Sequence, residues 1–150
     1  MRRKEREINN QEEMEQILKD SSICRIAMVD DDKPYLVPMN FGYREGALYL
    51  HSAPEGRKID LIRKNPFVCF EVDEIVRLKK AKLACDWGVE YKSVIGFGNA
   101  AFLFDPDEKR QAFNIIMGQY SEREFEYSDE MLEKTLVIKI EIEKMTGKKS

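Results

Sequence analysis

The densest concentration of reactive side chains is His51-Ser52-Ala53-Pro54-Glu55-Gly56-Arg57-Lys58, where a strand pattern gives way to a helix pattern. A hydroxyl, a glycine, two cations and a new helix start meet in this one short segment. The free N–H groups of a helix start favour an anion, and Arg57 and Lys58 would add charge-assisted hydrogen bonds to a phosphate. The same spacing also suits an ordinary strand–helix junction with both cations solvated. It is neither a Walker A loop nor a Rossmann fingerprint, so tightly held ATP or NAD is not indicated. Histidine is the side-chain type that titrates near neutrality, and His51 is the single one in the chain. It is a candidate acid or base, or a ligand contact; no nucleophile stands at a spacing that would make a Ser-His-Asp triad.

Two further segments could serve a ligand. In Val37-Pro38-Met39-Asn40-Phe41 a proline interrupts a strand pattern and frees backbone groups for the edge of a planar heterocycle, or else marks an edge strand packing Val37, Met39 and Phe41 inward. Asp86 to Val94 mixes the lone Trp87 with Tyr91 and Ser93, just before Gly96 and Gly98. Those alternate glycines share one face of a strand, which would admit a ligand ring, a second subunit or a barrel kink. The basic run Arg77 to Lys82 reads as a solvated loop, with phosphate contact as the alternative. Cys24, Cys69 and Cys85 form no CxxC, and with one histidine in the chain too few ligands are clustered for a Cys/His zinc site.

These segments need elements to position them. Asn10 followed by Glu13, with Met14, Ile17 and Leu18 as a stripe, predicts a helix over Gln11 to Lys19, behind loose residues 1–8. Strands are expected at Ile23 to Val29, Tyr35 to Tyr43 and Ala47 to Ser52, with turns at Asp30 to Pro34 and Arg44-Glu45-Gly46. In the second strand Tyr35, Val37, Met39, Phe41 and Tyr43 alternate onto one face. Ile59, Leu61 and Ile62 suit a two-turn helix ended by Asn65-Pro66. Phe67 to Val76 and Tyr91 to Phe104 return to strand. Asp105-Pro106-Asp107-Glu108 then starts a helix running to about Tyr120, and Leu136 to Glu143 alternates as a half-buried strand. Strands without a helix after each one predict a mainly β (α+β) fold, an antiparallel barrel with a few covering helices.

Composition bounds the function. The chain has 150 residues and a net charge of −3, which suits one domain over 1–150 and argues against a nucleic-acid-binding role. The longest apolar stretch, Ala100 to Phe104, is far short of the roughly 20 residues that span a bilayer. The first residues lack the apolar core of a secretory signal. A soluble protein of the reducing cytoplasm, with no metal and no membrane partner, is expected.

Taken together, Pro34 to Phe41, HSAPEGRK at 51–58 with Asn65-Pro66 behind it, Trp87, Tyr91-Lys92-Ser93-Val94, Gly96-Phe97-Gly98 and Met145-Thr146-Gly147-Lys148 resemble one family. It is the flavin-binding split-barrel family related to pyridoxamine 5′-phosphate oxidase, and the nitroimidazole-resistance branch is the nearest in pattern. The resemblance covers residues 8 to 148. It implies a homodimer of six-stranded split barrels with FMN at the subunit interface. Val37, Pro38, Met39, Asn40 and Phe41 would line the flavin ring, while Ser52, Arg57 and Lys58 would hold the phosphate. His51 would lie near the ribityl chain or ring as the one candidate proton donor. Tyr91 and Ser93 would complete the site, and Trp87 would cover it, from the partner subunit or its own. The basic residues that bind substrate phosphate in a true pyridoxamine phosphate oxidase are not recognisable here, so vitamin B6 oxidation is not expected. The implied activity is an FMN-dependent oxidoreductase reducing a small acceptor such as a nitroaromatic. The alternatives are a flavin or haem carrier without catalysis, with His51 as a haem ligand, and a plain interaction module.

Overall fold

A computed structural model describes residues 3–150. A short 3-10 turn at Lys4–Arg6 precedes β1 (Glu7–Ile8) and α1 (Gln11–Asp20). Then come β2 (Cys24–Asp30), β3 (Lys33–Met39), β4 (Gly42–Arg44), β5 (Ala47–Ser52) and α2 (Arg57–Lys64). A long hairpin of β6 (Phe67–Lys79) and β7 (Gly88–Leu103), with a 3-10 turn at Ala84–Asp86 in its loop, leads to α3 (Pro106–Gly118), α4 (Asp129–Lys134) and β8 (Leu136–Lys149). The sheet order is β3-β2-β6-β7-β8-β5-β4, with β1 added on β8, and every pairing is antiparallel. The path does not close on itself, which makes the barrel a split one.

Alternation along each strand explains the core. Leu48 and Leu50 of β5 and Ile138 and Ile140 of β8 turn inward and are fully buried with Phe41, Phe70, Ile26, Val72 and Val94. Tyr49 and Val137 take the opposite face and meet Ala112 and Phe113 of α3 in a second, smaller cluster. The Met14, Ile17 and Leu18 stripe of α1 and Ile59, Leu61 and Ile62 of α2 plug the main cluster. Both expected caps are present. Asn10 Oδ1 accepts from the N–H groups of Glu12 and Glu13, and Asp105 Oδ1 from those of Asp107 and Glu108.

Several expectations need correction. There are eight strands, not six, because Tyr35 to Tyr43 breaks at Asn40-Phe41 and a short β1 is added. The residues before α1 are not loose: Ile8 is buried and pairs with Gly147, while Met1 and Arg2 lie outside the described residues. The basic segment is only partly a loop, since Arg77, Leu78 and Lys79 pair with Glu90, Val89 and Gly88. α4 was not foreseen, its single buried apolar residue, Leu132, being too little for a readable stripe.

The glycine face is corrected most fully. A Cβ at Gly96 would stand 2.3 Å from the Phe70 ring, and one at Gly98 2.2 Å from the Glu141 carbonyl oxygen. Both sites are filled from within the chain, so neither a ligand ring nor a second subunit can use them. The pairing register shifts between Phe97 and Gly98, so of the three readings the barrel kink holds.

Candidate functional site

Ser52 closes β5 opposite Leu136, and five residues later α2 begins. Its side chain is buried and its Oγ has no hydrogen-bond partner. Gly56 caps α2 with φ +125°, a conformation that a side chain would strain, and no side chain caps the helix. The N–H groups of Ile59 and Asp60 bond the Gly56 carbonyl, which leaves those of Arg57 and Lys58 for an outside acceptor. Lys58 is half-buried and has no ion-pair partner among the described residues. Arg57 is differently placed: it grips Asp30 Oδ2 at 2.6 Å and lies over the Tyr35 ring at 4.4 Å. Lys64, at the other end of α2, bonds Asp31 at 2.5 Å, so the β2–β3 turn is clamped along the helix. The spacing of Asp30 and Asp31 predicts only a turn, and nothing in it reveals that clamp.

β3 is an edge strand, one of the places where a strand proline such as Pro38 is tolerated. Tyr35, Val37 and Met39 pack on the core, while Leu36 and Pro38 face outward. A proline keeps its place in a ladder only where the missing N–H faces away from the partner strand. Pro34 and Pro38 both satisfy this on β3, which puts the Leu36 N–H and the carbonyls of residues 34, 36 and 38 on the open edge. Asn40 and Phe41 fall outside the ladder, and Phe41 is fully buried. The amides freed there are not all available to a heterocycle. The Phe41 N–H donates to Tyr120 Oη at 3.0 Å, and the Tyr43 N–H to Gln119 Oε1 at 3.3 Å. Sequence reading missed both acceptors, because the end of an amphipathic helix gives no sign of where its polar side chains reach.

His51 and Ser52 are neighbours on β5 and so project to opposite faces. The His51 ring is exposed on the α3 side, with its centroid 6.1 Å from that of Phe113. Its side chain therefore does not share the face on which Ser52 is buried.

Trp87, Tyr91 and Ser93 stand apart from all of these. Leu103 and His51 both pair with Val137, at one end of β7, whereas Ser93 pairs with Lys148. The two ends are about ten residues apart, roughly 33 Å of strand contour. Trp87 is half exposed, its Nε1 donating to the Ala81 carbonyl at 2.7 Å. The Lys148 ammonium lies 5.7 Å from the Tyr91 ring centre and holds the Tyr91 phenol below its ordinary pKa. One copy of the chain thus places Ser52, Arg57 and Lys58 along the β5–α2 junction with Tyr35 against Arg57, and carries Trp87, Tyr91 and Ser93 to the far end of β7.

Between the two ends lies an apolar outer face. Cross-strand pairing aligns Leu36, Ala27, Cys69 and Phe97 in one row, with Arg25, Glu71 and Ile95 beside them. Leu36, Ile75, Leu78, Val89 and Ile95 are each more than 40% exposed. Arg25 reaches Glu71 at 3.0 Å and Asp73 at 2.5 Å; burial still holds the Glu71 carboxyl above its ordinary pKa. Among the described residues no cluster of His, Cys, Asp and Glu could hold a metal ion, and no helix is long and apolar enough to cross a membrane.

The order of strands, the open path and the α-helical plugs define an antiparallel split barrel. The family model described as pyridoxamine 5′-phosphate oxidase matches residues 10–149, and the chain belongs to that family. A candidate 5-nitroimidazole antibiotic resistance protein from Bacteroides thetaiotaomicron is 36% identical, with a TM-score of 0.86 over 95% of this chain and 85% of that one. An FAD-binding protein from Mesorhizobium loti is 25% identical, with a TM-score of 0.74 over 97% of both chains. An FAD and haem binding protein from Mycobacterium smegmatis, 17% identical, shares the fold, with a TM-score of 0.87 over 97% of this chain and 73% of that one. An uncharacterized protein of Rhizobium meliloti (strain 1021) is 32% identical over 75 residues, 50% of this chain and 49% of that protein. That match spans about half the length of the curated relative.

Proposed function

We propose that this chain binds FMN between two copies of itself and acts as an oxidoreductase on a small acceptor such as a nitroaromatic. The buried, partnerless Ser52 hydroxyl, five residues ahead of an uncapped helix start, carries the reading. An orphaned buried hydroxyl costs about 1–3 kcal/mol, and a bound phosphate oxygen would remove that cost. The Ser52 hydroxyl, the first α2 amides and the Lys58 ammonium can all donate there. Such a set suits a group that only accepts. Bound flavin supplies hydride-type transfer between a reductant and an acceptor.

The chain's own residues bind and orient. Lys58, Ser52 and the α2 amides hold the phosphate, with Arg57 stacked on Tyr35 as one wall. The open edge of β3 offers the Leu36 N–H flanked by carbonyls, a pattern that can pair the polar edge of a flat heterocycle. The far group requires a second copy, whose Trp87, Tyr91 and Ser93 would cover the ring once the apolar outer faces meet. Family membership and the Bacteroides relative support the acceptor class.

The protein as purified, with FMN added, tests the reading by its absorption spectrum and sedimentation. Paired oxidised-flavin bands and about twice the chain mass are expected. A colourless protein that ignores FMN refutes it, and a Soret band transfers the chain to the haem carriers.

A further inference from the structure

Two adjacent side chains just past α3 tie together segments that are about a hundred residues apart in sequence. Tyr120 Oη donates to the Ser22 carbonyl at 2.6 Å, and it accepts from the Phe41 N–H at 3.0 Å and the Asn40 side-chain amide at 3.3 Å. Gln119 Nε2 lies 2.7, 2.9 and 2.7 Å from the carbonyls of Leu18, Lys19 and Ser21, and its Oε1 accepts the Tyr43 N–H. The carbonyls of Leu18 and Lys19 belong to the last turn of α1, whose acceptors have no partner inside the helix. One dipeptide therefore caps α1 and holds both flanks of the β3–β4 break.

The break itself leaves no slack. A Cβ at Gly42 would stand 2.4 Å from the Ile115 carbonyl oxygen, so β4 lies directly on the α3 backbone. Phe41, between the two anchored amides, is fully buried and fixes the inner side. Met39 ends the ladder with β2, so the direction in which β3 leaves its open edge is decided by where Phe41 and Tyr43 are held.

We propose that Gln119 and Tyr120 are positioning residues for the proposed flavin ring: by holding the 40–43 segment they fix the end of β3, the strand along whose open edge the ring would lie. This rests on the FMN reading above. Neither residue touches the phosphate end, so their effect falls on the ring and spares the phosphate. Loosening the break changes the affinity for the whole flavin, with the ratio between FMN and riboflavin unchanged.

Tyr120→Phe keeps the ring and removes the hydroxyl, and Gln119→Met keeps the length and removes the amide. Three readouts on the full chain decide the matter. Amide exchange at Phe41 in Tyr120→Phe, and at Tyr43 in Gln119→Met, should speed at least tenfold. FMN and riboflavin should both weaken about tenfold, with their ratio kept and the flavin absorption bands shifted from those of the unmodified complex. Lys58→Ala is the contrast, because it changes the ratio. Unchanged exchange at both amides overturns the clamp. Faster exchange and a lower melting temperature, with both flavin affinities intact, reduce the pair to a staple of the fold and overturn the positioning role. If the unmodified chain binds no flavin, the FMN reading falls and the positioning role with it, whatever the exchange shows.

Discussion

Lys58→Ala should separate the phosphate from the ring. Arg57 is already neutralised by Asp30 at 2.6 Å and held over Tyr35, so Lys58 is the cation at the α2 start without an ion-pair partner among the described residues. A charged hydrogen bond contributes about 1.5–3 kcal/mol, and screening at a half-buried site favours the lower end. The Ser52 hydroxyl adds a second charge-assisted bond, and the helix start about 0.3–1 kcal/mol. The sum is about 3–5 kcal/mol in favour of FMN over riboflavin, on the order of 10² to a few times 10³ in dissociation constant at about 1.4 kcal/mol per decade. Removing Lys58 should cost roughly tenfold in FMN affinity and nothing in riboflavin affinity, and the loss should shrink as salt is raised. Titrating both flavins into both proteins by fluorescence quenching measures it. Equal binding of FMN and riboflavin to the unmodified chain would refute a phosphate site at 51–58. An equal loss for both ligands in the variant would move Lys58 to the ring.

Three other outcomes follow from the geometry. Gly98→Ala forces a methyl against the Glu141 carbonyl and should destabilise by about 1–3 kcal/mol, or more if the bulge cannot shift; thermal unfolding should fall by several degrees. Ile95→Glu puts a charge at the centre of the apolar outer face. Sedimentation should then give a monomer that has lost flavin, and a dimer of normal affinity would remove that face from the interface. Glu90, bonded by Arg77 at 2.7 Å and Lys79 at 3.1 Å, has its carboxyl pKa lowered to about 2. The folded value lies below the unfolded one, so the β6–β7 hairpin keeps this support above about pH 4.3 and loses it as pH falls through about 2. Arg77→Met should raise the Glu90 midpoint in an NMR titration, and an unmoved midpoint would discard the pairing.

What could be read from the sequence divides along physical lines. Caps and alternation are local, so Asn10, Asp105, α2 and the inward faces of β5 and β8 were legible from residues close to one another. Pro38 announced an edge or a bulge, and β3 lies at the edge. The contents of HSAPEGRK marked the junction where β5 gives way to α2, yet strand alternation, equally local, already put His51 and Ser52 on opposite faces. Other features depended on distant partners. Gly96 and Gly98 looked like open space because nothing in their neighbourhood mentions Phe70 or Glu141. Arg57 looked free because Asp30 lies 27 positions away. The Gln119 and Tyr120 side chains reach back about a hundred residues, beyond any local pattern.

The placement of β8 has a consequence for how the chain comes to be folded. β8 pairs with β7 along its length and with β5 along Leu136–Glu141, and it follows every other strand of the barrel in chain order. Before it emerges, the ladders leave two unconnected pieces: a four-stranded sheet, β3-β2-β6-β7, and the β4–β5 hairpin. A two-stranded hairpin alone is marginal in water, and β7 would present a sixteen-residue unpaired edge to neighbouring nascent chains. Contacts of long sequence separation also form slowly. Cellular yield should therefore depend less on the finished barrel's stability than on the interval in which β7 waits for its partner. Translation that slows between Lys134 and Lys149 would lengthen that interval and favour edge-to-edge aggregation over barrel formation.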